Sequence, residues 1–345
     1  MPQKLVSLVK GAERKQNIKS ALGYIMQDLE KALRGKRNIM LKPNLVGLQP
    51  TIANTHVDAA SAVIEFLQEN IADFGKMQIT IAEGSGDAHY AGLSTLDVFK
   101  NCGFYALQEK FRNVKLEAVD EWQEWRELPI RTISGSGNIR VPSDFGRFDF
   151  IISLAIPKTH DTAIATLALK NMMGLVHQGD KALVHGIKTP YPEMQRRRFV
   201  EYIPMPVLLL IKRLAPNASK NYMIKSGIYE RSVKAIHHNI AEFAKALWPD
   251  LAILDAFECM EGNGPADGSA VQMNCAIASC DALKADALGA RLMGLNPDDI
   301  GYLHYLQEGG DISPEGLVGN AKLGECARAF KMHSTYGIQR RWREN

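Results

Sequence analysis

The stretch FDFIISLAIPKTHDTAIATLALKNMMG, Phe148–Gly174, decides the fold. It opens on a continuous apolar run, the pattern of a parallel strand buried on both faces. After Pro157 the pattern changes. From Thr162 the segment reads as a helix of Ala, Ile, Leu and Met, apolar nearly all round, and such a helix is buried. Yet it carries polar groups: Lys158, His160, Thr162, Thr166, Lys170 and Asn171. The four-residue spacing of Thr162, Thr166 and Lys170 predicts one polar stripe along the helix. A buried lysine without an anion is strongly unfavourable or gives up its proton. Lys170 is therefore expected to meet either a protein carboxylate or an anionic ligand.

Strands and helices alternate outward from this segment. KLVSLVK, NIMLKPNL, MQITIAEGSGD and VKLEAV read as strands before it, and LAILDA and AVQMNCAIAS after it. Helical patterns lie between them, including THVDAASAVIEFLQENI with Thr55 as its expected N-cap. DALKADALGARLMG has Asp281 at its start and Gly294 at its end, one cap at each side. This order predicts an α/β protein with a doubly wound, mostly parallel sheet and a helical basic insertion in the middle. The expected divisions are core residues 1–176, a basic helical segment 177–248, core residues 249–335 and a basic tail 336–345.

Charge is unevenly spread. Residues 1–150 hold 19 Lys/Arg and 18 Asp/Glu, residues 151–240 hold 13 and 5, and residues 241–345 hold 9 and 15. A basic middle and an acidic end imply internal pairing or an anionic ligand held at the middle. The five cysteines are odd in number, scattered and free of CxxC. They predict a cytoplasmic chain without a disulfide framework or an iron–sulfur site. No secretory leader and no membrane span is read. RRRFVEYIPMPVLLLIKRLAP, Arg196–Pro216, is apolar with basic flanks. It reads as a buried helix, with contact to an anionic membrane surface as the alternative. Basic and aromatic residues are not interleaved for base stacking, so nucleic acid is not an expected partner.

In open α/β sheets, ligands collect beyond the carboxyl ends of the strands. Four expected strand ends carry chemistry. LKPN supplies Lys42 and Asn44, AEGSGD supplies Glu83 and Ser85, PKTHD supplies Lys158 and His160, and LDAFECMEGNGP supplies Asp255, Glu261 and Asn263. EGSGD could cradle a phosphate, although it matches no phosphate-loop motif. The oxygens of Asp255, Glu261 and Asp286 are candidates for a divalent metal. Asp286 lies mid-helix among Ala and Leu and is expected to pair with Lys170 or Lys158. His177, His185, His237 and His238 read as solvated or structural.

MLKPNLV, THVDAASAVIEFL, IAEGSGD, the PKTH…TLALKNMMG block, LAILDAFECMEGNGPADG and IASCDALKADALGARLMGL resemble, in that order, the blocks of the family known as domain of unknown function 362. The resemblance spans about residues 38–310. It implies an α/β fold and puts Lys42, Asn44, Glu83, Lys158, His160, Lys170, Asn171, Glu261 and Asp286 in shared motifs. It hands over no reaction. Many members carry an added ferredoxin-like segment with four-iron clusters, a pattern not seen in this sequence.

The residues therefore predict an enzyme acting on an anionic small molecule, with Lys158 and Lys170 as clamp and His160 as acid/base. Ligand contacts are expected from Lys42, Asn44, Glu83, Ser85, Thr162, Thr166, Asn171 and Asn263, with a divalent metal as a conceivable helper. The alternatives are an accessory protein of a redox or iron–sulfur system and a membrane-surface protein. Association into a homo-oligomer is compatible with the sequence.

Overall fold

The computed structural model describes residues 4–187, 224, 227–307, 312–313 and 315–344. Twelve strands are among them. In chain order they are β1 (Val6–Lys10), β2 (Asn38–Lys42), β3 (Gln78–Glu83), β4 (Val114–Ala118), β5 (Trp125–Thr132), β6 (Gly135–Pro142), β7 (Phe150–Ala155), β8 (Lys158–His160), β9 (Ile164–Thr166), β10 (Leu251–Glu261), β11 (Ser269–Ser279) and β12 (Leu317–Gly319). Strands β5 and β6 form a separate antiparallel hairpin. The other ten make one sheet, with spatial order β12-β1-β11-β10-β7-β2-β3-β4 and the pair β8–β9 attached beside β10.

The run β4-β3-β2-β7-β10 is parallel throughout. Strand β11 pairs antiparallel with both β10 and β1. The sheet is thus large, mostly parallel and covered by helices on both faces. Period-2 alternation sends neighbouring residues to opposite layers. Ile39 and Leu41 of β2 join one apolar cluster with helices Arg14–Tyr24 and Val57–Asn70, while Met40 joins the other. Strand β10 divides likewise: Leu251 and Ile253 face the first cluster, Ala252 and Leu254 the second. Helices Ile228–Ala246 and Ala282–Leu292 cover that second face.

Most expected elements form, and the exceptions have local causes. The segment after Pro157 is not a helix from Thr162. It is the hairpin β8–β9, which pairs Lys158 with Thr166 and His160 with Ile164, followed by a helix of one turn, Ala168–Asn171. Alternation in Thr-Ala-Ile-Ala-Thr outweighs helical periodicity there, and Ile164 takes a positive φ of 66°. Thr55 does not cap its helix. His56 does, and Thr55 Oγ1 instead donates to the carbonyl of Leu154 and accepts the N–H of Asn44. The caps expected at Asp281 and Gly294 are both present. Of the basic middle, the turn Lys181–Val184 and the helix Ile228–Ala246 are described. The Arg196–Pro216 stretch lies outside the described residues. Among those described, no helix is long and apolar enough to cross a membrane.

Candidate functional site

The site sits at the carboxyl ends of β2, β3 and β7, where the parallel register puts the ends side by side. Lys42 ends β2 and Glu83 ends β3. Their side chains form a buried ion pair at 2.7 Å, with exposures of 0 and 3%. Glu83 also accepts the N–H groups of Leu45 (3.0 Å) and Gly84 (2.7 Å), so all its bonding capacity points inward. Burial lowers the pKa of Lys42, and the adjacent Glu83 carboxylate opposes that shift. Gly174 closes over this pair: a Cβ there would overlap the Glu83 carboxylate and the Lys42 ammonium.

Asn171 ties the pair to the next loop. Its Oδ1 accepts from Asn44 Nδ2 at 2.9 Å and from Lys42 Nζ at 3.4 Å, and its Nδ2 donates to the Lys42 carbonyl and to Ser153 Oγ. Asn44 Oδ1 in turn accepts from Lys158 Nζ at 2.7 Å. A continuous polar chain therefore runs Glu83–Lys42–Asn171–Asn44–Lys158 through otherwise apolar packing. Asp286 holds the start of the Asn171 helix, accepting the N–H groups of Ala168 (2.7 Å) and Leu169 (2.9 Å). Its expected lysine partner is thus replaced by peptide donors. Burial raises its pKa to about 7 against those two bonds.

Lys158 and Lys170 differ from Lys42. Lys158 is 1% exposed and donates to two neutral oxygens, Asn44 Oδ1 and the carbonyl of Ala53 at 2.9 Å. Lys170 is 7% exposed, and its nearest polar partner is the Met173 sulfur at 3.9 Å. Neither ammonium has a carboxylate in ion-pair range among the described residues. Burial, with the Lys170 charge next in weight, lowers Lys158 to about 7. Burial likewise lowers Lys170 to about 8, with Asp161 opposing. A third amine, Lys181, is lowered to about 8 by burial and donates to the Gly84 carbonyl.

His160 begins the turn between β8 and β9. Its Nδ1 faces the N–H groups of Thr162 (3.1 Å) and Ala163 (3.2 Å) and also lies 3.0 Å from Asp161 Oδ1. Burial and the neighbouring Lys170 push its pKa down to about 3. The expected titration near neutrality is therefore not what this environment gives, and the ring is neutral. His185 stacks on it at 5.8 Å and is lowered to about 4, again mainly by burial. Thr162 Oγ1 lies 3.2 Å from His185 Nδ1. The C-terminal segment clamps the turn. The Asp161 carbonyl accepts from Tyr229 Oη, from Thr335 Oγ1 at 3.1 Å and from Gln339 Nε2 at 2.7 Å. Gln339 Oε1 also takes the N–H of Ile164 at 2.8 Å.

The structure thus gathers Lys42, Asn44, Glu83, Lys158, His160, Thr162, Lys170 and Asn171. Thr166 stands across the hairpin from Lys158, its buried hydroxyl without a hydrogen-bond partner. Ser85 is nearby but structural: its Oγ caps the helix Gly86–Ala91 and donates to Val46. Asn263 is exposed in the turn after β10 and takes no part. The three carboxylates considered for a metal do not meet. Asp255 pairs with Arg14 at 3.0 Å, Glu261 accepts the N–H of Lys331 at 2.9 Å, and Asp286 holds the helix start. No cluster of three or more His, Cys, Asp or Glu among the described residues could hold a metal ion. The five cysteines are free and buried.

Lys181, His185, Gln178, Tyr229 and Gln339 were not anticipated. Gln178 Nε2 donates to the Ser85 carbonyl at 3.1 Å, while its buried Oε1 has no partner. The dense polar spacing of HQGDKALVHG, His177–Gly186, was the available signal for three of them. A family model described as a domain of unknown function, DUF362, matches residues 39–291. No curated protein matches the chain.

Proposed function

The chain belongs to the DUF362 family, and we propose on that premise that it is an enzyme for an anionic small molecule carrying a carboxylate, sulfate or phosphate group. One observation carries the reading: Lys158 and Lys170 are buried within mutual electrostatic range, and neither meets a carboxylate among the described residues. Two such ammonium groups repel each other in a poorly solvated space, and a bound anion removes that repulsion. Lys170, free of oxygen acceptors, holds the anion. Lys158 has a pKa near neutrality and serves as the proton carrier. His160 stays neutral and offers a hydrogen bond rather than a proton. Asn44 and Asn171 fix the position of the Lys158 amine through the polar chain.

Differential scanning fluorimetry with sulfate, phosphate and malonate tests the reading. The parent protein should be stabilised by at least one of these anions and Lys170→Met by none. Equal stabilisation of both proteins by every anion overturns the assignment.

A further inference from the structure

The basic C-terminal residues Arg340–Arg343 play no part in the site above, yet they border two surface hollows that share Trp342, Arg343 and Glu344. The larger hollow measures about 530 Å³ and lies between β5, the helix Ile228–Ala246 and the C-terminal turn. Arg131, Arg231, Lys234, His304 and Arg343 line it, against one carboxylate, Glu344. The smaller measures about 300 Å³ and adds Arg340 and Arg341, with Asp299 as a second carboxylate.

Several of these cations already have work. Lys234 lies 3.5 Å from Glu230, and Arg341 reaches the same carboxylate at 4.0 Å. Arg343 stacks on Trp342 at 4.7 Å and donates to the Asp298 carbonyl. Arg131 and Arg231 differ: neither has an ion-pair partner among the described residues. Trp342 is held rigid from behind by its Nε1–H bond to the Asp299 carbonyl at 2.8 Å. The hollow is therefore a concave surface bordered by arginines, with Trp342 anchored in its wall.

We infer that this hollow is a second anion site, separate from the buried lysines, and that it takes a small polyanion with adjacent phosphate groups. Arginine suits that chemistry because its planar fork can bond two phosphate oxygens at once. The volume admits a chain of several phosphates, and the joined smaller hollow extends the cationic border. The buried amines Lys158 and Lys170 are almost closed to solvent, which favours one compact anion there. The two sites therefore differ in ligand size, and this inference does not require the proposed function to be correct.

Isothermal titration with sodium tripolyphosphate tests it, using the Lys170→Met background so that the buried site contributes nothing. Tripolyphosphate should still bind in that background. Arg131→Gln combined with Arg231→Gln should weaken binding at least tenfold. Arg34→Gln combined with Arg112→Gln, which removes two exposed arginines elsewhere, should change it less than twofold. Circular dichroism melts check that every variant is folded. If the Arg131/Arg231 double substitution destabilises the chain, each single substitution is titrated instead, with a loss of at least threefold expected. No binding in the Lys170→Met background overturns the inference. So does an equal loss from both arginine pairs, which would mean general charge attraction.

Discussion

A buried lysine with a depressed pKa is a source of instability until a ligand arrives. Lys170 is lowered from 10.5 to about 8, which corresponds to about 3 kcal/mol against the charged form. The folded pKa is the lower one, so between pH 8 and 10.5 the unfolded chain binds more protons and stability rises with pH. Below pH 8 the full cost is present. Lys170→Met should therefore raise the melting temperature of the ligand-free protein by several degrees at pH 7, and the advantage should shrink toward pH 10. A lower melting temperature at pH 7 would mean that the ammonium is satisfied. Lys42 obeys the opposite logic, since its charge is met by Glu83 at 2.7 Å. Glu83→Gln leaves an unpaired buried ammonium and should cost about 3–5 kcal/mol in urea unfolding. Lys42→Met added to Glu83→Gln should recover part of that loss, because it removes the unpaired ammonium while the amide oxygen still accepts a backbone N–H. The two tests separate amines of the same residue type, only one of which has a protein counter-charge.

The hairpin β8–β9 carries Lys158 and leads into the helical turn that carries Lys170, and it is held from outside the family-matched region. Gln339 satisfies both the Asp161 carbonyl and the Ile164 N–H, bracketing the turn that begins at His160. Gln339→Leu strands the buried Ile164 N–H, while the Asp161 carbonyl keeps Tyr229 and Thr335, and should cost about 1–3 kcal/mol in urea denaturation. The released turn should also weaken sulfate binding, which calorimetry would register; unchanged affinity would mean the turn keeps its shape without the clamp. This element also marks where the sequence stops being legible. The apolar run of β7 and the strand ends at Lys42 and Glu83 were readable because burial on two faces leaves a continuous pattern. Thr162–Thr166 fits both a helix and a strand, and the turn it forms is completed by a long-range bond from Ile164 to Gln339, 175 residues away. Asp286 misled for a similar reason: a carboxylate amid apolar residues demands donors, but composition does not say whether they are ammonium or peptide N–H groups. The titration of His160 was likewise hidden, since burial and Lys170 set it rather than the residue type.

At the scale of the whole molecule, the uneven charge along the chain does not resolve into neutral pairing at the site. Arg14 of the first part engages Asp255 of the last, and Arg140 engages Asp180, yet Lys158 and Lys170 of the basic middle meet no acidic residue of the C-terminal part. The surplus is preserved because the fold assembles the site from distant segments. Strand β10, after the basic middle, pairs in parallel with β7 before it, and both apolar clusters draw residues from the two sides of that segment. Neither half of the chain can complete its sheet or its core alone. The site and the fold should therefore be lost together: in a urea titration, sulfate binding and far-UV circular dichroism should share one midpoint. Loss of binding at clearly lower urea would show that the C-terminal clamp opens as a separate unit, with the sheet intact. Ile39→Val sharpens the test, because it weakens the core under β2 without touching the site or the clamp. It should move both midpoints by the same amount if one cooperative unit carries them.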